Sequence, residues 1–261
     1  MKLYAFECGT LVSQKHLFVA GVGLKEPFTV PVPFFMIEHG DAKIMFDTGN
    51  GLPVAQDKIK HWGPGLVAAY DPVMTEDQYV VNQLARIGVK PEEITHVIFS
   101  HLHLDHAGGT GEFPNARYYV QRRELEWAYT ADFYQKAAYI RADFDKPYLN
   151  WELLEGMDED FYDVMGDGKL QIVFTPGHTP GHQSLLVRLD DWGPTLLTGD
   201  SVYTTEIIDQ DNLPGLVWSP HDAVVSIKKM RYLRRAHGVR IVTGHDPVAW
   251  ANIKQAPEFY T

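Results

Sequence analysis

The feature that most constrains the fold is the segment His101-Leu102-His103-Leu104-Asp105-His106, which follows a short apolar run at residues 96–99. Three imidazoles and one carboxylate lie within this segment. On a loop at the end of a strand such donors approach a cation from different directions, which residues four apart on a helix cannot do. The segment therefore predicts a strand that ends in a metal-binding loop. A solvated polar loop is the alternative interpretation.

The loop carries donors for more than one cation, and other strand ends supply the rest. His101 and His103 can close on one ion, while Asp105 and His106 begin a second site ~3.5 to 4 Å away. The segment 175–182 contains two prolines and two glycines, so it predicts a tight loop that presents a histidine. Its spacing does not choose between His178 and His182, although the position directly after a strand favours His178.

Two further donors follow apolar runs later in the chain. Asp200 comes after the run 195–198, and its two carboxylate oxygens can each take one of two cations. His245 follows the run 240–243 and is a candidate to complete the second site. Donors at strand ends are held by a rigid sheet, which keeps the geometry of a site fixed.

Composition excludes several classes of protein. The formal net charge of −11 argues against a nucleic-acid partner, and the basic run 228–235 has the spacing of an exposed helix face. Cys8 is the only cysteine, so no intramolecular disulfide forms and a reducing compartment is indicated. No apolar run reaches the length of a signal peptide or a membrane span. We therefore expect a cytoplasmic protein that does not contact membranes.

The chain alternates predicted strands with predicted helices. Apolar runs rich in β-branched and aromatic residues predict strands at 34–37, 43–47, 96–100, 118–120, 170–174, 184–187, 195–200 and 240–245. One helix is predicted from the capping box at Thr75 to Gly88, and another from Asp222 to Ala236. Short segments at 63–65 and 211–215 are predicted to be loops, and no linker is visible. Sheets packed between helices in a single domain, residues 1–261, are expected.

The candidate donors follow one another in a recognisable order. They are His101, His103, Asp105, His106, His178, Asp200 and His245. This pattern resembles the metallo-β-lactamase superfamily and is similar in detail to the N-acyl homoserine lactonases and related γ-butyrolactonases. The likeness extends over nearly the whole chain, through Asp47-Thr48-Gly49 and the segments 175–184 and 243–247. Tyr203 and the run 144–147 further resemble a lactonase subgroup.

The resemblance implies a fold and a set of ligands. The fold would be an α/β arrangement in which two mixed β-sheets are flanked by helices, an αββα sandwich. One metal ion would be held by His101, His103 and His178, a second by Asp105, His106 and His245, and Asp200 would bridge them. Asp47 would be a buried acceptor that stiffens the first loop, with plain strand termination as the alternative. Two divalent ions are expected, with zinc first and iron, manganese or cobalt as alternatives, since no thiolate is among the donors.

The resemblance also implies an activity, a dinuclear metal-dependent lactonase. It would open the lactone ring of N-acyl homoserine lactones, a quorum-quenching reaction, with a hydroxide that bridges the two ions as nucleophile. Tyr203 would donate a hydrogen bond to the carbonyl oxygen in the transition state, and Asp105 would carry the proton to the leaving oxygen. A buried tyrosine satisfied by backbone is the alternative for Tyr203. The expected partner is a small-molecule lactone, and the chain would be a monomer or a homodimer.

Other activities of the same superfamily stay as alternatives. The first is γ-butyrolactone hydrolysis, and the second is a glyoxalase-II-like thioesterase, whose helical C-terminal region has no counterpart in the sixteen residues after His245. A common β-lactamase has Cys where Asp200 stands, a nuclease needs a basic surface, and a di-iron redox module has Glu at the position of His103. A metal-binding protein without activity would have no use for Tyr203. The pattern leaves open the acyl-chain preference and which of the loops 62–70, 133–144 and 207–218 form the pocket.

Overall fold

The computed structural model describes residues 1–261 and contains twelve strands and eight α-helices. The strands are β1 (Lys2–Gln14), β2 (Pro27–His39), β3 (Ala42–Phe46), β4 (Asp71–Val73), β5 (His96–Ile98), β6 (Arg117–Gln121), β7 (Trp151–Leu154), β8 (Phe161–Asp163), β9 (Leu170–Phe174), β10 (Gln183–Leu189), β11 (Gly193–Leu197) and β12 (Arg240–Val242). The helices are α1 (Leu52–Trp62), α2 (Pro64–Ala69), α3 (Val80–Arg86), α4 (Arg122–Thr130), α5 (Arg141–Phe144), α6 (Thr205–Asp209), α7 (Pro220–His237) and α8 (Pro247–Trp250). None of these helices is both long and apolar enough to span a bilayer.

The strands form two mixed sheets, as expected. The larger sheet has the order β4-β1-β2-β3-β5-β6-β7, with antiparallel pairs up to β3 and parallel pairs from β3 to β7. The smaller sheet has the order β12-β11-β10-β9-β8, and only its β11–β12 pair is parallel. Helices flank both sheets, which confirms the predicted αββα sandwich.

Two apolar cores explain why the strands carry apolar residues in unbroken runs. Successive side chains of a strand point to opposite faces of the sheet. On β2, Phe35 and Ile37 pack with Ile172 and Leu185 of the smaller sheet, in the core between the two sheets. The alternate residues, such as Phe34 and Met36, belong to the core beneath the helices. A sheet covered on both faces needs apolar residues at every position.

Every predicted strand coincides with an observed one, but β5, β11 and β12 end at residues 98, 197 and 242, before the predicted ends at 100, 200 and 245. The predicted helices also need corrections. α7 has its N-cap at Ser219 and its C-cap at Gly238, which has the left-handed conformation, so it extends beyond the predicted range at both ends. Two of its apolar residues, Val224 and Val225, are exposed. The capping box at Thr75 is present, yet the helix predicted to continue to Gly88 is interrupted at Tyr79, whose backbone is extended.

The segment 63–65, predicted to be a loop, instead contains the first turn of a helix. Gly63 is the N-cap of α2, and Pro64 occupies its first position, where the missing N–H costs nothing. The strands β1, β4, β7 and β8 and the helices α1, α2, α4, α5, α6 and α8 were not predicted. The register of β1 shifts between Glu7 and Thr10, which obscures the period of two on which a strand is identified.

The strand ends converge at one place. Parallel neighbours end at the same edge of a sheet, so the segments after β3 and β5 lie together, as do those after β11 and β12. Backbone contacts join them: Thr48 N–H donates to the carbonyl oxygen of His106 at 2.8 Å, and His245 N–H donates to that of Tyr203 at 2.8 Å. The loop after β9 packs between the two groups, so both sheets deliver side chains to one site.

Candidate metal centre

All seven donors named from the sequence lie in one buried cluster. They form three groups within which the nearest donor atoms are all less than 4.8 Å apart. The groups are His101, His103 and His178; His101, His106 and Asp200; and Asp105, His106 and His245. Every member is buried, with at most 6% of its surface exposed. No other group of this kind occurs in the chain.

The first group consists of three imidazoles from two loops. His178 Nε2 lies 3.2 Å from His101 Nε2 and 3.0 Å from His103 Nδ1. The loop 100–106 leaves the larger sheet and the loop 175–182 leaves the smaller one, so this group joins the two sheets. Three ring nitrogens converging from different directions provide the ligand set of a tetrahedral cation with one position open.

The group of Asp105, His106 and His245 combines two imidazoles with a carboxylate. Asp105 Oδ2 lies 3.4 Å from His245 Nε2 and 3.7 Å from His106 Nε2. The remaining donor, Asp200, divides its two oxygens between the groups. Its Oδ1 lies 3.2 Å from both His106 Nε2 and His245 Nε2, whereas its Oδ2 lies 3.7 Å from His101 Nε2 and 3.6 Å from His178 Nε2. Asp200 is therefore the side chain that links the two halves.

The outer nitrogens of the imidazoles are held by fixed acceptors. His178 Nδ1–H donates to the carbonyl oxygen of Leu216 at 2.9 Å, and His245 Nδ1–H donates to that of Pro31 at 2.7 Å. Because a carbonyl oxygen only accepts, Nδ1 carries the proton in both rings and Nε2 turns its lone pair to the cluster. Such bonds orient metal-binding histidines and fix their tautomer.

Asp47 fixes the outer nitrogens of two imidazoles of the loop 100–106, those of His101 and His106, whereas Nε2 of His103 has no partner. Its Oδ2 accepts from the Ser100 hydroxyl at 2.8 Å and from His106 Nδ1–H at 2.9 Å, while Oδ1 accepts from Ser100 N–H at 2.6 Å. Since the Ser100 proton goes to Asp47, Ser100 Oγ accepts from His101 Nδ1–H at 2.9 Å. The prediction that Asp47 is a buried acceptor that stiffens this loop is confirmed.

His182 lies behind the cluster and not in it. Its Nε2 accepts a hydrogen bond from the backbone N–H of Asp200 at 3.0 Å, and its Nδ1 lies 2.7 Å from the Ser201 hydroxyl. The structure thus places His178 among the donors and leaves His182 to position Asp200, which the spacing of the loop could not decide.

The charges of the cluster suit cation binding. Burial lowers the pKa of His101 and of His103 well below the usual value, so both are neutral at pH 7 and have free lone pairs. Burial acts to raise the pKa of Asp200, but His106 and His245 hold it well below the usual range, and Asp200 is ionised. Burial acts to lower the pKa of His106 too, but Asp200 and Asp105 raise it well above 6.5, so a cation bound there would displace a proton.

Unpartnered atoms in the cluster show that the residues fit a bound cation. His106 Nε2 and Asp200 Oδ1 are buried and 3.2 Å apart, yet neither makes a hydrogen bond with acceptable geometry. A buried polar atom without a partner is costly. Both atoms would be satisfied by a cation placed between them.

A pocket opens beside the cluster. Asp105, Asp200 and His245 form its polar end, together with Tyr203. Apolar side chains form most of its walls: Leu11, Phe18, Leu66, Leu104, Ala138 and Leu216. Leu66, Ala138 and Leu216 come one from each of the three segments considered for the pocket, 62–70, 133–144 and 207–218, whereas Phe18 follows β1 and Leu104 lies on the loop 100–106. Leu11 on β1 was not foreseen.

Tyr203 is buried at the border of the cluster and the pocket. Its hydroxyl lies 3.2 Å from His178 Nδ1, whose proton is shared with the carbonyl oxygen of Leu216, so the tyrosine proton itself is free. Burial and the charge of Asp200 raise the pKa of Tyr203 well above 10. The side chain therefore remains a hydrogen-bond donor at neutral pH.

Two groups that shape the site could not be singled out from the sequence, although Tyr70 lies in the segment 62–70 considered for the pocket. Glu124 lies on the unpredicted helix α4 and is fully buried. Tyr70 follows α2 and lines the pocket. Nothing in the spacing or composition around either residue distinguishes it from an ordinary helical glutamate or a packing aromatic.

Comparison with known proteins gives a consistent result. The family model described as the metallo-beta-lactamase superfamily matches residues 28–245. An N-acyl homoserine lactonase AttM of Rhizobium radiobacter is 47% identical over 260 residues, which is all of this chain and 98% of that protein. An N-acyl homoserine lactonase of Bacillus thuringiensis is 32% identical over 258 residues, covering 99% of this chain and 98% of the relative.

Comparison with solved structures leads to the same family of proteins. An N-acyl homoserine lactone hydrolase with the product N-hexanoyl-L-homoserine bound at the catalytic metal center superimposes with a TM-score of 0.88 and 31% identity, covering 99% of this chain and 98% of that one.

Proposed function

The chain belongs to the metallo-β-lactamase superfamily, and from this premise we propose that it is a metal-dependent hydrolase that opens the lactone ring of N-acyl homoserine lactones. The observation that carries the proposal is the position of Asp200, whose two carboxylate oxygens are each turned to a different half of the cluster. Relatives named N-acyl homoserine lactonases match over the full length of the chain, which supports this substrate class.

Seven side chains would hold two divalent cations. His101, His103 and His178 would bind one ion, Asp105, His106 and His245 the other, and Asp200 both. When bound, the ions would lower the pKa of water towards 7 and polarise the ester carbonyl. Nitrogen and oxygen donors in these numbers favour zinc, while iron, manganese and cobalt also suit them.

Tyr203 and Asp105 would be the catalytic side chains. The free proton of Tyr203 is available to the carbonyl oxygen of the lactone as negative charge develops on it. Asp105 contacts the imidazoles through Oδ2 and also lines the pocket, so its other oxygen, Oδ1, would be available to pass a proton to the leaving oxygen.

The apolar walls of the pocket fit the rest of such a substrate. An acyl chain buried against leucine and phenylalanine side chains gains about 25 cal/mol for each Å² removed from water. γ-Butyrolactone, the alternative substrate, has no chain to bury there and would use only the polar end. That the protein acts in the cytoplasm, as a monomer or a homodimer and without a nucleic-acid partner, stays a prediction.

The activity is tested with a panel of substrates. We expect the purified protein, loaded with zinc, manganese or cobalt, to open N-hexanoyl homoserine lactone, with the product identified by mass spectrometry as the substrate plus one water. γ-Butyrolactone, a glutathione thioester and a β-lactam serve as comparisons. A thioester or β-lactam turned over with a higher kcat/KM than every lactone would contradict the proposal.

The role of Tyr203 is tested by Tyr203→Phe, which keeps the ring and removes the donor. Loss of one donor to a developing oxyanion costs about 10²-fold in kcat where no other group shares the charge. Because cations would share it here, we expect a decrease of about 10-fold, with the metal content unchanged. The exposed Tyr232→Phe is the control. Full kcat with both ions retained would remove Tyr203 from the mechanism.

A further inference from the structure

Glu124 is a buried carboxylate without a cationic partner. It is fully buried in the first turn of α4, and no lysine, arginine or histidine pairs with it. Instead each of its oxygens accepts two hydrogen bonds. Oε1 accepts from Leu102 N–H at 3.1 Å and from the Tyr139 hydroxyl at 3.0 Å. Oε2 accepts from the Thr179 hydroxyl at 2.6 Å and from Gly181 N–H at 3.3 Å.

Three of these four donors lie beside the group of three imidazoles. Leu102 lies between His101 and His103, and Thr179 directly follows His178. The ring of Tyr139 packs edge-on against His103, with the ring centroids 4.6 Å apart. Glu124 thus joins the metal loop of the larger sheet to the loop 175–182 of the smaller sheet, next to the point where their imidazoles meet.

We propose that Glu124 is the positioning residue of the His101–His103–His178 group and sets the affinity of that half of the centre for its cation. The proposal rests on the proposed metal centre. Burying an ionised carboxylate without a cationic partner costs free energy, and burial raises the pKa of Glu124. The structure retains it because only a carboxylate provides acceptors for four donors from three segments of the chain. Groups that hold metal ligands in place typically change metal affinity 10- to 100-fold when removed.

The test is Glu124→Gln, which keeps the shape and replaces one oxygen by an NH₂ donor. Two of the four protein donors would then face another donor. Cobalt titration, followed by visible absorption and by competition with a chelator, should show one ion bound as in the wild type and the other 10- to 100-fold more weakly. Glu126→Gln, an exposed glutamate on the same helix, is the matched control.

A second variant keeps the test decisive if Glu124→Gln fails to fold. Thr179→Val removes only the 2.6 Å bond on the His178 side and should weaken the same ion 3- to 10-fold. Two ions bound with wild-type affinity, or both weakened equally, would overturn the proposal. Lactone hydrolysis by the wild type is measured in parallel, so a protein that binds two ions but opens no lactone would contradict the proposed function and not the role of Glu124.

A separate observation concerns Tyr70, at the opposite wall of the pocket. Its ring packs edge-on against Phe18, with centroids 5.9 Å apart, and Phe18 also contacts Tyr203 at 5.3 Å. The hydroxyl of Tyr70 makes no hydrogen bond within the protein, although it is not sealed from the pocket. Burial, with the charges of Asp105 and Asp200, raises the pKa of Tyr70 to about 12, so it is a donor.

We infer that Tyr70 determines specificity by donating a hydrogen bond to a substrate oxygen outside the lactone ring, the amide oxygen of an N-acyl homoserine lactone. This deepens the proposed function and rests on it. The predicted ligands and Tyr203 account for the ester group, and the other walls are apolar. A single free donor on an apolar wall orients a ligand that carries a matching acceptor.

Tyr70→Phe tests this inference with two substrates. We expect kcat/KM for N-hexanoyl homoserine lactone to fall about 10-fold, mainly through KM, and kcat/KM for γ-butyrolactone, which has no amide, to stay unchanged. Tyr232→Phe is the control. Equal losses for both lactones, or no loss for either, would refute the role of Tyr70. A wild type that opens no acyl homoserine lactone would instead refute the proposed function, and the inference with it.

Discussion

The single thiol of the protein is shielded by the backbone around the metal loop. Cys8 is fully buried, its Sγ lies 3.5 Å from the carbonyl oxygen of Asn50, and a side chain on Gly49 would collide with it. Burial raises the pKa of Cys8 to about 12, and only the thiolate reacts with disulfide reagents. At pH 8 the reactive fraction is therefore on the order of one in 10⁴.

We predict that Cys8 does not react with Ellman's reagent at pH 8 in the native protein. After unfolding in guanidinium chloride one thiol per chain should react within minutes, which provides the internal control. The release of thionitrobenzoate at 412 nm measures both states. Rapid reaction of the native protein would show that β1 opens in solution and exposes the strand beside the site.

Single residues also show how far the sequence could predict the site. Every candidate donor, from His101 to His245, could be named because histidine and aspartate after apolar runs form a recognisable set. The groups that orient them could not. The acceptors for His178 and His245 are the backbone carbonyls of Leu216 and Pro31, and every residue has such a carbonyl. Only the folded chain shows which carbonyl lies opposite which ring.

At the scale of elements, strands were easier to predict than helices. The strands are buried on both faces, so unbroken apolar runs such as 170–174 mark them. The helix predicted from Thr75 is interrupted at Tyr79, and contacts with other parts of the chain hold the next residues. The side chain of Gln83 donates to the carbonyl oxygens of Glu7 and Gln78 at 2.8 and 2.9 Å. The spacing of apolar residues along the sequence does not predict such a contact with a strand that is distant in the sequence.

The basic run on α7 illustrates a prediction made from spacing alone. It was expected to be an exposed helix face and not a binding surface. Its cations pair with carboxylates on neighbouring segments: Lys229 with Asp160 at 2.7 Å, and Arg234 with Asp209 at 2.7 Å. Pairing of this kind neutralises part of the charge of the run, and the absence of a polyanionic partner stays a prediction from the net charge of −11.

The loop 175–182 depends on close contact with α7. Gly177 has a φ of 139°, which side chains rarely allow, and a Cβ there would lie 2.4 Å from the backbone of Ala223 in the first turn of α7. The neighbouring residue is His178. Any substitution at Gly177 must therefore push this loop away from the helix and displace the imidazole.

We predict that Gly177→Ala lowers the free energy of unfolding by about 2 to 3 kcal/mol, through overpacking and backbone strain. The affinity for one of two ions should fall at the same time, because His178 moves. Gly65→Ala on α2, where a Cβ meets nothing within 4 Å, is the control and should be neutral or slightly stabilising. Urea unfolding and metal titration measure the two effects. Unchanged metal affinity in Gly177→Ala would show that the loop tolerates the shift.

At the scale of the whole molecule, the site lies where the two sheets meet. The larger sheet provides the loop 100–106 and the smaller sheet provides His178, Asp200 and His245, so neither sheet has a complete centre. The shared core between the sheets joins residues such as Phe35 and Leu185. We expect this shared core and shared site to make the chain, residues 1–261, one domain that unfolds in a single cooperative transition.

This arrangement couples metal binding to stability, because ions that bind only the folded chain shift the unfolding equilibrium. At a free metal concentration of 100 times Kd, one site contributes about 2.7 kcal/mol. For a chain of this size each kcal/mol shifts Tm by roughly 2–4 °C. Two sites contribute about twice as much, so removing both ions with a chelator should lower Tm by roughly 10 to 20 °C. Differential scanning calorimetry measures the decrease, and zinc, manganese or cobalt should restore the Tm. In His101→Ala, which loses a donor, the difference in Tm with and without chelator should be much smaller. A wild-type Tm that does not respond to the chelator would mean that the cluster is held together by its own hydrogen bonds and not by cations.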